Sequence, residues 1–366
     1  KTNIMLQKSN KEIAESQEKG NHHFDQFKGK VLILKPDFTD NNGRLKYLAK
    51  ALEAQGCQVS LQFDLHDKPD VVIISNAFCD PHLLETMASL SAMGIPLILD
   101  IDKDYENLPV NHVEYSQRGI HSPSKGRAFA SALVLADTIT VPSDHLAETF
   151  RSAGYPVFCI PDGWSADNPF WRKPSSAHSM LTIGWFGHTG ALEDLASIRR
   201  VLIRLLREFE DSLRLIIVGD PEAYRMFDTV SEKNRLYLPY ISEEEYPYIL
   251  SQMDILVAPY RKSPFNLSRS DEILMQAGVK RIPWVASRIP AFVKWSKGGL
   301  LADTQEEWHT NLRHLILEAD IRIKLGEDGS RVTDRREMHR HVAEWLEAIN
   351  IVITGKQEYT LPETSY

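Results

Sequence analysis

Short apolar runs alternate with amphipathic helical stretches along most of this chain, and that alternation narrows the fold more than any other feature. "KVLILKPDF" (30–38) suits a strand buried on both faces. In "NNGRLKYLAKALEAQG" (41–56), Leu45, Leu48, Ala49 and Leu52 share one helical face, and Gly56 is placed to end the helix. Strands at 57–63, 70–75 and 95–102 bracket a helix over 80–94 that carries Pro81 at its first position. A helix over 123–135, a strand over 138–143, a helix over 144–153 and a strand over 156–163 continue the series. Such alternation implies a parallel sheet covered by helices on both faces.

The pattern pauses at "WSADNPFWRKPSSAHSM" (164–180) and then restarts. Strands are expected at 181–187, 213–220, 254–260 and 282–287, with helices at 191–209, 243–252, 271–278, 305–318 and 336–350. Ser242 with Glu245, and Thr304 with Glu307, have the spacing of capping boxes. The expectation is α/β: two Rossmann-like parallel-sheet domains facing a central cleft, where the strand ends bind ligands. The reading assigns 1–27 to a polar tail or linker and 28–163 to the first domain. It assigns 164–180 to an interdomain linker, 181–335 to the second domain, 336–350 to a helix crossing back to the first, and 351–366 to a tail.

The 366 residues exceed one typical core, which agrees with two domains. A net charge of −8 speaks against a general nucleic-acid binder, which needs a basic face. Cys57, Cys79 and Cys159 show no paired spacing and read as reduced thiols. No Cys/His spacing suggests zinc, no apolar stretch is long enough to span a membrane, and no amphipathic helix is basic enough to argue for membrane docking. The expected location is the cytoplasm, with peripheral contact at the inner membrane face as the alternative. The sequence opens on lysine, so it is expected to be a segment of a longer chain.

One stretch concentrates candidate chemistry. "APYRKSPFNLSRSDEILMQAG" (258–278) gathers Arg261, Lys262, Arg269 and Ser270 where a strand hands over to a helix. Helix N-termini expose unpaired N–H groups and the positive end of the macrodipole, so an anion is the expected guest. Gly187, His188, Thr189 and Gly190 follow the first strand of the second domain, and glycines there permit close approach of backbone to a sugar or phosphate.

In order along the chain, several segments resemble the GT-B glycosyltransferases, in particular the large retaining family four (glycosyltransferase group 1). "ADTITVPSDHLAETFRSAGYPVFCIPDGW" (136–164) is similar to the end of that family's first domain. "IGWFGHTGALEDL" (183–195), "LRLIIVG" (213–219), "EEEYPYILSQMDILVAPY" (243–260) and "FNLSRSDEILMQAGVKRIPWVAS" (265–287) resemble successive segments of its donor domain. The resemblance spans about residues 30–350. It implies transfer of a sugar from a nucleotide-sugar to an acceptor hydroxyl, with retention and without a bound metal or other cofactor. The departing nucleoside diphosphate must then be stabilised by Arg/Lys, backbone N–H groups and a helix N-terminus.

On the matching positions, the resemblance implies that Arg269 and Ser270 bind the diphosphate, with Arg261 and Lys262 as further cations. The family usually places Arg after the first glycine and Lys about five residues on, where this chain has His188 and Glu193. Its two glutamates, which contact the sugar and the ribose, correspond to Ser268 and Gln276. Gln276 keeps hydrogen-bonding ability without charge, and Ser268 is shorter than glutamate. Arg269, His188 and Asp102 are the catalytic candidates.

The acceptor side is read from fewer residues. Asp100, Asp102 and Asp104 lie just past a strand end, where Asp102 could orient a hydroxyl, act as a weak base, or merely cap a turn. Arg118 and His121 stand in a basic loop with Lys125 and Arg127, and Asn42 with Gly43 precedes the first helix. Loss of the family's glutamates leaves a second reading open, a catalytically impaired domain that binds or scaffolds. A nicotinamide-dependent oxidoreductase is disfavoured, because "KPDFTDNNG" (35–43) has one glycine where the dinucleotide fingerprint needs three.

Overall fold

The computed structural model describes residues 27–36, 43–64, 66–172, 179–240, 242 and 244–360. The expected N-terminal tail up to 26, the end of the first apolar run, Asn42, part of the 164–180 linker and the last six residues lie outside the described residues. The chain divides into two compact units. One comprises Lys1–Glu106, Gln117–Asp162 and Met338–Tyr366, the other Asn107–Ser116 and Gly163–Glu337. The sequence reading kept 28–163 together, whereas the short segment Asn107–Ser116 packs with the second unit.

The first unit is built on strands β1 (Lys30–Leu34), β2 (Gln58–Ser60), β3 (Val71–Ser75), β4 (Leu97–Asp100), β5 (Thr138–Val141) and β6 (Val157–Cys159). All pair in parallel in the order β2-β1-β3-β4-β5-β6. β3, β4 and β5 are buried at every position, which is why Val71–Ile74 and Leu97–Leu99 are apolar without alternation, while Thr138 and Thr140 of β5 bury their hydroxyls on hydrogen-bond partners. Around the sheet lie α1 (Gly43–Ala54), α2 (Pro81–Ala92), α3 (Pro123–Leu135) and α4 (Asp144–Ser152). Their starts follow local chemistry: the side chains of Asp80, Ser122 and Ser143 accept first-turn N–H groups of α2, α3 and α4.

The second unit carries β7 (Leu181–Gly187), β8 (Leu213–Gly219), β9 (Arg235–Pro239), β10 (Ile255–Ala258), β11 (Trp284–Ser287) and β12 (Gly299–Ala302). They form a second parallel sheet in the order β12-β11-β10-β7-β8-β9. Its longer helices are α5 (Leu192–Glu208), α6 (Glu272–Val279), α7 (Gln305–Leu317) and α8 (Ala319–Thr333). One face packs Leu195, Ile198 and Leu202 of α5 against Leu215 and Ile217, and the other packs Leu274 and Ala277 of α6 against Leu256 and Trp284.

The final helix, α9 (Met338–Thr360), returns to the first unit. Its Met338, Val342, Trp345 and Ile349 join Val31, Leu48, Ile73 and Phe158 in one core. Trp345 is 1% exposed, and truncating so buried an aromatic costs about 3–5 kcal/mol.

Most expected elements are present with shortened ends, but α9 runs on to Thr360 where a tail was expected from 351, and its Val352 still packs in the core. β9, β12 and α8 were not anticipated. The helix expected over 243–252 is observed as Tyr246–Leu250, with Pro247 in its first turn. Ser242 forms no capping box there: its hydroxyl bonds Glu245 Oε2 at 3.2 Å, and Glu245 itself stands at the N-cap. The Thr304–Glu307 box is complete at the start of α7.

Candidate functional site

In an open parallel sheet, ligands bind beyond the carboxyl ends of the strands where the strand order reverses. In the second unit the reversal falls between β7 and β10, which pair Ile255 with Ile183 and Leu256 with Gly184. The glycine turn after β7 and the basic loop after β10 leave these two strands side by side. Each glycine has its own reason. A Cβ on Gly187 would sit 2.1 Å from the Trp185 indole, so the indole occupies that space. Gly219, at φ +105°, brings its Cα so near Gly187 O that a Cβ would lie 2.2 Å away. Gly190 admits the 107–116 segment, with His112 Cα 3.0 Å from the position of a Cβ.

Rings link the two loops. His188 meets His112 edge to face with centroids 4.3 Å apart, and His112 meets Phe265 at 5.5 Å. Phe265 and Tyr260 in turn lie under the guanidinium of Arg269, at 5.6 and 4.5 Å. His188 Nδ1 accepts the Gly190 N–H at 3.2 Å, and His112 Nδ1 accepts that of Glu114 at 3.2 Å. With both Nδ1 atoms accepting, each imidazole in this geometry can carry its proton only on Nε2. Thr189 opens the short turn Thr189–Ala191.

The loop cations differ in what they already hold. Arg261 pairs with Glu193, and Lys262 lies 3.3 Å from Asp303. Arg269 has no carboxylate within ion-pair distance among the described residues and rests on its two aromatic faces. Glu193, after the glycine turn, therefore has its cation supplied by the loop after β10. Ser270 Oγ accepts the Glu272 N–H at 3.4 Å and so caps the first turn of α6. Asp271, at the N-cap of α6, is paired with Arg336, which lies over the Trp295 ring at 5.6 Å.

Ser268 and Gln276 are turned to local structure. Ser268 is 3% exposed and its hydroxyl donates to Pro264 O at 3.2 Å. Gln276 donates to Glu272 one helical turn back at 2.9 Å.

Two residues that the sequence reading did not single out organise this loop. Asp194 is 5% exposed in the first turn of α5. It accepts the Arg261 N–H at 2.9 Å and the Asn266 amide at 3.1 Å on both oxygens. Burial pushes its carboxyl up, opposed by Arg261, Asn266 and Arg269. In the sequence Asp194 reads as an ordinary acid at a helix N-terminus, which conceals this role.

In the first unit the polar groups gather beyond β3 and β4. Asp102 Oδ1 accepts from Asn76 Nδ2 at 2.9 Å and from the Tyr105 hydroxyl at 2.7 Å, and Lys103 stands 3.5 Å from Oδ2. Burial alone would raise the Asp102 carboxyl, but Lys103, Tyr105, Arg118 and Asn76 together hold it below the usual range. Asn76 adopts the left-handed conformation, φ 46°, that asparagine tolerates. Asp100, fully buried, accepts from Arg44 Nε at 2.8 Å and Thr140 Oγ1 at 2.7 Å. Burial raises its carboxyl in spite of Arg44. Arg44 also donates to Ile160 O, approaches Asp162 at 3.5 Å and lies over Trp345 at 5.0 Å. Gly43 is the first residue of α1, Arg118 is buried, and His121 is exposed ahead of α3.

Among the described residues no helix is long and apolar enough to cross a membrane, and no three His, Cys, Asp or Glu side chains cluster so as to hold a metal ion.

No family model and no curated protein matches the chain. Solved structures do. The catalytic domain of starch synthase IV from Arabidopsis thaliana, bound to ADP and acarbose, superposes with a TM-score of 0.63 at 10% identity, covering 90% of this chain and 100% of that one. Anabaena Alr3699/HepE in complex with UDP and glucose gives 0.60 at 12% identity over 91% of this chain and 100% of its own. WaaG, a glycosyltransferase involved in lipopolysaccharide biosynthesis, gives 0.57 at 12% over 87% and 99%. Two six-stranded parallel sheets with flanking helices, matched in this way, give the chain the GT-B fold of nucleotide-sugar glycosyltransferases.

Proposed function

We propose that this chain transfers a sugar from a nucleotide-sugar to an acceptor hydroxyl, with retention and without a metal ion or a resident cofactor. The observation that carries this reading is Arg269, a guanidinium over the Tyr260 ring at 4.5 Å, without a carboxylate partner among the described residues, just ahead of α6. A planar fork in that position suits a diphosphate, and as the glycosidic bond breaks it stabilises the charge that gathers on the departing phosphate oxygen. Ser270 and the first N–H groups of α6 add donors. Arg261 and Lys262 contribute through exposed pairs that a stronger anion can displace. In the first unit, an Asp102 held below the usual carboxylate range favours accepting a hydrogen bond from an acceptor hydroxyl over removing its proton. Arg118 and His121 are the further acceptor-side candidates.

A second reading, a domain that binds nucleotide-sugar without turning it over, is favoured by the burial of Ser268 and the local bond of Gln276. Calorimetric titration with UDP, GDP and ADP, with and without divalent cations, tests the common core of both. One nucleoside diphosphate is expected to bind at micromolar strength without metal, and Arg269→Ala is expected to lose about 1.5–3 kcal/mol. Release of free sugar from the matching nucleotide-sugar then separates turnover from binding alone. No binding at millimolar concentration would refute the donor site.

A further inference from the structure

The loop between β10 and α6 is anchored at one buried point. Asn266, 5% exposed, spends its side-chain amide twice, on the Asp194 carboxylate and on Arg261 O at 2.9 Å. Its backbone N–H donates to the Ser263 hydroxyl at 3.2 Å, and its carbonyl accepts the Arg269 N–H at 3.3 Å. Asp194 receives the Arg261 N–H as well. The segment 261–269 is thus closed on itself by Asn266 and fastened to the start of α5 by Asp194. Glu193, beside it, makes only an exposed pair with Arg261 and does not fix the backbone.

A carboxylate this deeply buried carries a desolvation cost that an apolar side chain would avoid, and what it supplies in return is a unique set of hydrogen bonds. We infer that Asp194 and Asn266 are positioning residues, which set the register of the 261–269 loop and so hold the Arg269 guanidinium over Tyr260 for an anionic ligand. Its ligand arm rests on the function proposed above; its structural arm does not.

Asp194→Asn keeps the shape and replaces an acceptor by a donor facing the Asn266 amide. In the nucleoside diphosphate titration this variant is expected to weaken affinity about tenfold, the factor for one net hydrogen bond. In an Arg269→Ala background the same substitution is expected to change affinity less than about twofold, because residues that act through one another are not additive. An equal loss in both backgrounds, or no loss in either, overturns the inference. Hydrogen exchange of residues 259–270 reads the structural arm without a ligand. Exchange about tenfold faster in Asp194→Asn than in the parent supports the anchor, and unchanged exchange overturns it. Should the parent bind no nucleotide, the proposed function fails while the exchange comparison still decides the anchor. If Asp194→Asn does not fold, Asn266→Ala, which removes both amide bonds and leaves Asp194 with Arg261, is read by the same two measurements.

Discussion

Arg44 and Asp100 form an ion pair with side chains 4% and 0% exposed, so removing either partner strands a charge beneath the surface of the first unit. Breaking such a pair costs about 3–5 kcal/mol, most of it from the charge left behind. Asp100→Val leaves the Arg44 guanidinium with Asp162 at 3.5 Å, the Ile160 carbonyl and the Trp345 face. These partners compensate part of the loss and place the expected value near the lower bound. Arg44→Met strands Asp100 with only the Thr140 hydroxyl among its side-chain partners, and is expected near the upper bound. For a unit of this size each kcal/mol lowers Tm by about 2–4 °C, so the single variants should fall by about 6–20 °C. The double variant, with both charges of the pair gone, is expected to lose only about 2–3 kcal/mol, for the unpaired Thr140 hydroxyl and Ile160 carbonyl and for the loss of Arg44 from beside Asp162. Differential scanning calorimetry of the four proteins gives the coupling directly. If the double variant loses as much as the two single variants summed, the pair is not acting as a pair and the reasoning fails.

Asp102 has a lowered pKa, so the stability its charge supplies is complete above the unfolded value, about 3.9, and is lost as pH falls through the lower folded value. The Tm gap between the parent and Asp102→Asn should therefore stay constant above about pH 5 and shrink as pH falls below about 4, and a gap unchanged under acid would contradict this. Gly219→Ala combines a φ of +105° with a Cβ 2.2 Å from Gly187 O, and should cost at least about 1–3 kcal/mol in urea unfolding. Gly94→Ala, at φ +73° with nothing within 4 Å, should cost only the backbone strain of about 1–2 kcal/mol. Arg269→Lys keeps the charge but loses the fork, and nucleotide affinity should settle between those of the parent and Arg269→Ala; equality with the parent would exclude bidentate contact.

The inner strands of both sheets were legible because burial on two faces writes itself as unbroken runs such as Val71–Ile74 and Leu215–Val218. β9 escaped notice because it is an edge strand whose Arg235, Tyr237 and Leu238 are only half-buried. α8 was hidden by Gly326 and Gly329, which lower helix propensity; a Cβ on Gly326 would lie 2.2 Å from Arg281 O. At the candidate site, local signals found the loop cations and glycines. They could not show which cations were already paired, since Glu193 and Arg261, or Lys262 and Asp303, are far apart in sequence. His112 was missed for the same reason, since it reaches His188 only through the fold.

The main stretch of the second unit begins at Gly163 and ends at Glu337, and these ends touch: Trp164 pairs with Glu337, donates its N–H to Arg336 O at 3.0 Å and its indole N–H to Thr333 O at 2.9 Å. During synthesis, this closed stretch is finished before the ribosome has made α9, whose Val342, Trp345 and Ile349 complete the core of the first unit. The first unit, though translated first, waits with part of its apolar sheet uncovered until the last helix emerges. Nascent chains stalled before residue 338 should therefore recruit holdase chaperones to the early segment while the later one already resists protease.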